Sequence, residues 1–377
     1  MADYSGTVNA NTYSGREFSV YIGSDQSVGT ADATANGTSM YRLDVEGITL
    51  PSFAPNQEFE MRSGSGRVAQ FGQVFSSTKR VATEVSLSGR VELQSLPILY
   101  ENVFSQAATD SDNNFKIATG YTPNAILHGA ATGVAVFNKT LTIFFKAPTA
   151  ADSITLVGCV CTSLALSADM TSNSGRYDYT ATFQTQYQPA KGTDSMSSAQ
   201  ELTTALGATN MYLSDQSTKD FNIMEMDGGG TDHTSINPLI NNLTLTVESP
   251  TVFLGAQGSS AEPEVIARAV PELSITLGAS FKYDTETDKL AEAFRDPGED
   301  SYIQMILNNR AVTSNLETPG SNLIETHASQ TFGFIIPKAK LTSCDVSSDD
   351  VAAVSFEAKV LDPGSNFVLH LATGATA

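Results

Sequence analysis

From Leu273 to Phe281, within the stretch Glu272–Phe294, apolar side chains alternate with small or polar ones, the period-2 pattern of a strand with one buried face. Polar turn residues fill Tyr283–Thr287. Leu290, Ala291 and Phe294 then return at helical spacing behind Thr285 and Thr287 as candidate caps, which predicts a helix over Thr285–Arg295. The stretch Glu84–Phe104 has the same order of strand, polar break and helix. Its Leu96, Leu99, Tyr100 and Phe104 predict a helix over Gln94–Gln106. Glu84 precedes Glu272 by 188 positions and Phe104 precedes Phe294 by 190, about half of the 377 residues.

Further echoes run at a similar offset. Ser24-Asp25-Gln26-Ser27 recurs as Ser214-Asp215-Gln216-Ser217; Leu43, Val45 and Ile48 resemble Leu243, Leu245 and Val247; Thr162-Ser163 matches Thr342-Ser343; Tyr177–Phe183 matches Val351–Phe356. Their common order predicts a duplicated domain, at a period too long for a solenoid. The expected layout is an N-terminal arm over 1–15, a first β domain over 16–190, a linker and loop over 191–234, and a second β domain over 235–377.

Other alternating runs predict strands at Glu17–Ile22, Met40–Phe53, Val134–Phe145, Ser153–Ala165, Tyr177–Tyr187, Ile240–Val247, Val265–Phe281, Gln330–Ala339, Lys340–Val346, Val351–Val360 and Phe367–Leu371. Tyr302–Leu307 fits a helix or a strand. Pro189–Ala205 reads as linker, and Phe221–Ser235, with Gly228-Gly229-Gly230, as loop. Gln57–Phe75 predicts a long hairpin with a permissive Gly-Ser tip at Ser63–Gly66. Phe53 to Glu84 spans 31 positions but Phe253 to Glu272 only 19, so the first half is expected to carry an extended loop that the second lacks.

Composition agrees with many strands and turns: 41% hydrophobic, 16% charged, 28 Gly and no Trp. The net charge of −20 is uneven. Residues 1–200 hold 12 Lys+Arg against 17 Asp+Glu (−5), and residues 201–377 hold 9 against 24 (−15). Such a surface repels phosphate backbones and argues against tight nucleic-acid binding. The N-terminal residues show neither a basic nor an apolar region, so no secretory signal is expected, and no apolar run approaches the ~18 residues of a bilayer span.

The search for chemistry yields little. No phosphate-cradling G-x-x-x-x-G-K-[ST] or strand–helix G-x-G-x-x-G occurs. Gly64-Ser65-Gly66-Arg67 lacks the following Gly of a nucleophile elbow. His128, His233, His327 and His370 are isolated. Asp227, Asp232 and His233 around the triple glycine read as a polar loop before a metal site. Asp345, Asp349 and Asp350 read as a solvated turn, missing the Gly and Glu of a calcium loop. Cys159 and Cys161, two apart on one strand face, are expected as buried small hydrophobes, and three cysteines make no disulfide framework. Asn36-Gly37-Thr38 and Asn242-Leu243-Thr244 match glycosylation sequons that signify nothing without secretion.

The strand–helix units Glu84–Phe104 and Glu272–Phe294, with the closing strand pairs Cys159–Tyr187 and Lys340–Val360, resemble the tail tube proteins of long-tailed bacteriophages in a two-domain, duplicated form. The resemblance implies a mainly β fold of two tandem β-sandwich or half-barrel domains, each flanked by one α-helix, whose sheets form a continuous inner β-barrel on ring assembly. It implies a major tail tube subunit, not an enzyme, with three chains giving a pseudo-sixfold homotrimeric ring. Rings would stack into a hollow conduit for phage DNA ejection, and the DNA would pass without specific binding. Its further partners would be tape measure, terminator and baseplate proteins. The site would be the virion tail, assembled in the host cytoplasm, with no membrane, cofactor, metal or catalytic residue. The inter-ring contact is expected at the hairpin tip: Met61, Arg62, Ser63, Gly64, Ser65, Gly66 and Arg67. The alternatives are another phage tail, baseplate or capsid-decoration protein, and a carbohydrate-binding β module. The absence of Trp and of clustered aromatics weighs against the last.

Overall fold

The computed structural model describes residues 17–25, 29, 40–51, 57–59, 74–76, 82–92, 95–105, 115–118, 126–128, 140–192, 223–226, 233–236, 239–255, 262–269, 271–280, 302–308, 333–347, 353–362 and 367–372. The first half contributes β1 Ser19–Ser24, β2 Met40–Leu43, β3 Gly47–Ile48, β4 Gln57–Phe59, β5 Val74–Ser76, β6 Thr83–Arg90, α1 Leu96–Phe104, β7 Phe115–Ala118, β8 Ile126–His128, β9 Leu141–Lys146, β10 Ile154–Asp169, β11 Tyr177–Thr185 and β12 Ala190–Lys191. The second contributes β13 Ile223–Met226, β14 His233–Ile236, β15 Leu239–Glu248, β16 Thr251–Gly255, β17 Pro263–Arg268, β18 Glu272–Ser280, β19 Tyr302–Asn308, β20 Gly333–Ser347, β21 Ala353–Val360 and β22 Phe367–Ala372. The protein is mainly β.

Two long strands organise the sheet. The N-terminal half of β10 pairs with β9, β9 with β1 and β1 with β2. Its C-terminal half pairs with β11, β11 with β6 and β6 with β3. Around β20 the same order recurs, with β19, β13 and β14 on one arm and β21, β18 and β15 on the other. Chain order is the same in both sets. The hairpins β4–β5 and β16–β17 also fall at the same place, between the third and fourth of these strands. β12 and β22 each return to the start of the long strand of their own half.

The two arms carry a shared irregularity. The β10–β11 register slips at Thr162, between Cys161↔Phe183 and Ser163↔Thr182; the β20–β21 register slips at Thr342, between Leu341↔Ala358 and Ser343↔Glu357. Each bulged threonine donates its hydroxyl across the ladder, Thr162 to the carbonyl of Thr182 (3.2 Å) and Thr342 to that of Glu357 (3.1 Å). A bulge inserts one unpaired residue and sharpens the local twist, so each long strand can serve two sheets that diverge. These rungs fix an internal alignment: Thr182 faces Ser86, whose carbonyl accepts from Thr49, and Glu357 faces Thr276, which faces Thr244.

The rungs correct several expectations. By its place in the ladders Ser86 stands where Thr276 stands, 190 positions on, which sets Glu84 level with Ser274, whereas the sequence offset set it level with Glu272. Ala181 matches Phe356, and Ile48 matches Leu243. Even shifts, two for Glu84 and four for Ile48, preserve the buried face of a strand and escape a reading based on period 2. Ser24–Ser27 begins on the last residue of β1, whereas Ser214–Ser217 comes before β13 in the chain, so the two do not hold the same place in the strand order. Phe221–Ser235 is not all loop, because Ile223–Met226 and His233–Ile236 pair as β13–β14 and extend the sheet into the stretch expected as linker and loop. Ala190–Lys191, in the expected linker, pairs with Ile154–Thr155. Tyr302–Asn308 is a strand, and the two strands expected around Lys340 are one, Gly333–Ser347. Asp345 stands on that strand opposite Ser355, not in a turn. Both halves carry a hairpin; they differ in the length of its tip. The helix expected over 285–295 and the arm over 1–15 lie outside the described residues.

The core follows the period-2 pattern. Leu164, Leu166 and Ala168 of β10, Tyr177, Tyr179, Ala181 and Phe183 of β11, and Leu243, Leu245 and Val247 of β15 are buried in one cluster. Helix α1 closes this cluster with Leu96, Leu99, Tyr100 and Phe104, the stripe its spacing predicts. Pro97 suits the first turn, and Ser105 ends the helix at φ 51°. The cluster continues into Ile275, Ile336, Phe356 and Ala358, so the two halves share a buried core.

Candidate functional site

The two halves meet strand to strand. β10 and β15 pair antiparallel from Ser163↔Glu248 to Asp169↔Asn242, making one continuous run β3–β6–β11–β10–β15–β18–β21–β20. Seventeen strands belong to the main sheet, yet the ladders among the described residues join them as a branched chain in which no path of pairings returns to its start. Among the described residues the sheet is open, and its long run ends at β3 on one side and at the C-terminal half of β20 on the other. Such edges present unpaired backbone donors and acceptors, which proteins normally cover.

Burial separates the filled junction from the two ends. Leu166 and Leu245, paired at the junction, are 4% and 2% exposed. Leu50, the counterpart of Leu245 one residue past Thr49, is 42% exposed, and Cys344, the counterpart of Leu164, is half-buried.

The junction is locked from the side by Arg268, which is 4% exposed. Between Cys159, which faces Leu141 of β9, and Ser163, which faces Glu248 of β15, Cys161 has no strand neighbour on that side among the described residues. Asn102 of α1 accepts from its N–H through Oδ1 (2.6 Å), and Arg268 Nη2 donates to its carbonyl (3.0 Å). Arg268 Nη1 donates to the carbonyls of Asn102 and Val103 and to Ser105 Oγ, so a side chain of the second half caps the helix of the first. A cation at a helix C-terminus is favourable with the helix dipole as well as with the orphan carbonyls. β8 adds to β17 beside this contact.

A second polar knot lies at the end of β1. The Asp25 carboxylate accepts from Thr140 Oγ1 (2.5 Å), Thr142 Oγ1 (2.5 Å), Gly158 N (2.9 Å) and Gly29 N (3.1 Å). Burial pushes its pKa up, against these four lowering bonds. Gly29 and Gly158 both have positive φ and flank the ring of Tyr187; a Cβ on Gly158 would lie 2.2 Å from that ring. The knot is structural, because its carboxylate is saturated by donors.

Among the described residues the two buried cysteine thiols are held protonated. Burial raises Cys161 to about 12 and Cys159 well above its ordinary value, so neither is a thiolate at neutral pH. Cys159 and Cys161 do share one buried face, as their spacing predicts. Burial, reinforced by Asp44, raises Glu92 to about 7. Arg90 and Arg176 both reach Glu46 (3.3 and 3.2 Å), and Arg176 also reaches Asp178 (2.8 Å), a charged surface network beside β3. Among the described residues no group of three His, Cys, Asp or Glu is placed to hold a metal ion, and no helix is long and apolar enough to cross a membrane. His233 pairs across from Met226; Asp227, Asp232, Asp349 and Asp350 lie outside the described residues. So do Met61, Arg62, Ser63, Gly64, Ser65, Gly66 and Arg67, although the β4–β5 ladder that bears them is formed, Gln57 facing Ser76 and Phe59 facing Val74. Sequence reasoning missed Arg268 and Asp25, whose burial has no local signature.

No family model matches the chain, and no curated protein matches it. Among solved structures it is similar to a chain of the tail of an empty gene transfer agent particle refined with C6 helical symmetry (16% identity, 37% of this chain and 90% of that chain, TM-score 0.24). It is also similar to a chain of the virion of a native gene transfer agent particle (17%, 37% and 90%, 0.24). A third similarity is to the SPP1 tail tube (10%, 42% and 79%, 0.23).

Proposed function

We propose that this protein is a structural subunit that associates with copies of itself, edge to edge, into closed rings, and that these rings stack as the tube of a phage tail. The observation that carries the reading is the open sheet: two units of the same strand order, joined through β10 and β15, with counterparts of those two strand edges that no strand among the described residues pairs, at β20 and β3. A molecule that joins its own two units in this way offers the same kind of join to the next copy, and ring closure removes both edges. The tail assignment rests on the resemblance drawn from the strand–helix units of the sequence.

On this reading each half is a copy of one domain, and three chains supply six domains in a pseudo-sixfold ring. The continuous sheet becomes the wall of a conduit through which DNA slides during ejection, and net charge of −20 suits a wall that must not hold phosphate. The β4–β5 hairpin contacts the adjacent ring. Tape measure, terminator and baseplate proteins complete the tail, which assembles in the host cytoplasm.

Negative-stain microscopy and mass photometry of purified protein test the proposal. Rings of three chains, or tubes built from them, are the expected result; a protein that stays monomeric at every concentration, or forms rings of six chains, overturns it or its stoichiometry.

A further inference from the structure

We infer that the junction between successive copies is an antiparallel ladder between the C-terminal half of β20 and the segment continuing β3, in a register set by the β10–β15 ladder within each chain. The inference rests on the self-assembly proposed above and specifies its interface.

The argument is an internal superposition. The bulge at Thr162 corresponds to that at Thr342, so Ser163, Leu166 and Ser167 correspond to Ser343, Val346 and Ser347. Thr49 corresponds to Thr244, because each stands one strand beyond the equivalent residues Ser86 and Thr276. Inside the chain Ser167 faces Thr244 and Leu166 faces Leu245. Between chains, therefore, Ser347 faces Thr49 and Val346 faces Leu50.

Three further features fit. Thr49 donates its N–H inward to Ser86 (3.0 Å), so by alternation the N–H of Leu50 points to the free edge, as that of Leu245 points to β10. Pro51, which has no N–H, takes the place of Thr246, whose N–H faces away from the junction, so the proline does not block the ladder. The exposed apolar surface of Leu50 sits where Leu245 is buried in the filled junction. The occupant is thus a second copy of this chain, because the complementary edge is its own β20.

Ser249 donates to the carbonyl of Thr162 (2.8 Å) and Met170 to that of Asn241 (2.7 Å), which makes Ser167↔Thr244 a non-hydrogen-bonded pair. Facing residues in such a pair have Cα atoms about 4.5 Å apart, within disulfide range. The test is therefore Thr49→Cys with Ser347→Cys in one chain, in a Cys344→Ser background, oxidised after assembly and run on non-reducing gels, with each single variant as control. The expected result is a ladder of chain multiples in the double variant only. In parallel, Leu50→Asp is expected to leave the monomer's melting temperature within a few degrees while raising the concentration needed for rings by roughly tenfold or more. Assemblies that form without the cross-link overturn the inferred junction and leave the ring reading standing. A link closed within single monomers shows that the two edges meet in one chain and overturns the junction. Failure of the parent Cys344→Ser protein to assemble at any concentration overturns both.

Discussion

The guanidinium of Arg268 donates to the main-chain carbonyl of Asn102, a residue 166 positions earlier. The Asn102 side chain in turn accepts from Cys161, whose carbonyl also takes a bond from Arg268. Helix α1, strand β10 and hairpin β16–β17 are therefore held at one point, on the line where the two halves join.

Removing that point is expected to be costly. Arg268→Ala takes a donor from the buried carbonyls of Asn102, Val103 and Cys161, of which Asn102 keeps the N–H of Ser105 (3.2 Å), and this predicts a loss of about 3 kcal/mol in urea-induced unfolding. Arg268→Lys is expected to recover less than half, because an ammonium cannot span the carbonyls that the planar fork reaches together. Full stability in the lysine variant would show that the charge alone matters.

The ring of Tyr187 between Gly29 and Gly158 gives a second prediction. Gly158→Ala forces a Cβ into that ring and into φ +62°, for a combined cost of roughly 2–4 kcal/mol. In a Tyr187→Ala background the clash disappears and only backbone strain of about 1–2 kcal/mol remains. A double-mutant cycle with no coupling between the two sites would contradict the packing described.

Glu92 predicts a pH dependence. Its folded pKa of about 7 lies above the ordinary 4.5, so between these values the folded state binds more protons than the unfolded one. Its contribution to stability therefore falls as pH rises from 4.5 to 7 and stays low above that. Glu92→Gln removes this dependence. The stability difference, variant minus wild type, is expected to be more positive at pH 8 and to shrink by pH 5, as read from urea midpoints at pH 5, 6 and 8; a difference independent of pH would refute the shift.

The hairpin gives a test of stacking apart from ring closure. Replacing residues 60–73 with Asn-Gly keeps the β4–β5 ladder on a two-residue turn. The variant is expected to keep its melting temperature and form rings that no longer stack into tubes under electron microscopy. Tubes of ordinary length would remove the hairpin from the inter-ring contact.

Alternation along the chain was enough to place β6, β10, β11, β15, β18 and β21, because a half-buried strand writes its two faces into successive residues. The stripe of Leu96, Leu99, Tyr100 and Phe104 placed α1 for the corresponding helical reason. The repeated Thr-Ser pair was legible only as an echo, and it took the ladders to show that each copy sits at a bulge. Pairing was not legible. A two-residue shift leaves every face unchanged, so the sequence set Glu84 level with Glu272, while the order of the ladders sets it level with Ser274. β13 and β14 are short and lack clear alternation; they are strands because they pair with each other and β13 pairs with β19. Arg268 and Asp25 look like ordinary surface residues in one dimension. Only tertiary convergence surrounds them with carbonyls, hydroxyls and amides, and without those partners burying either charge would be prohibitive.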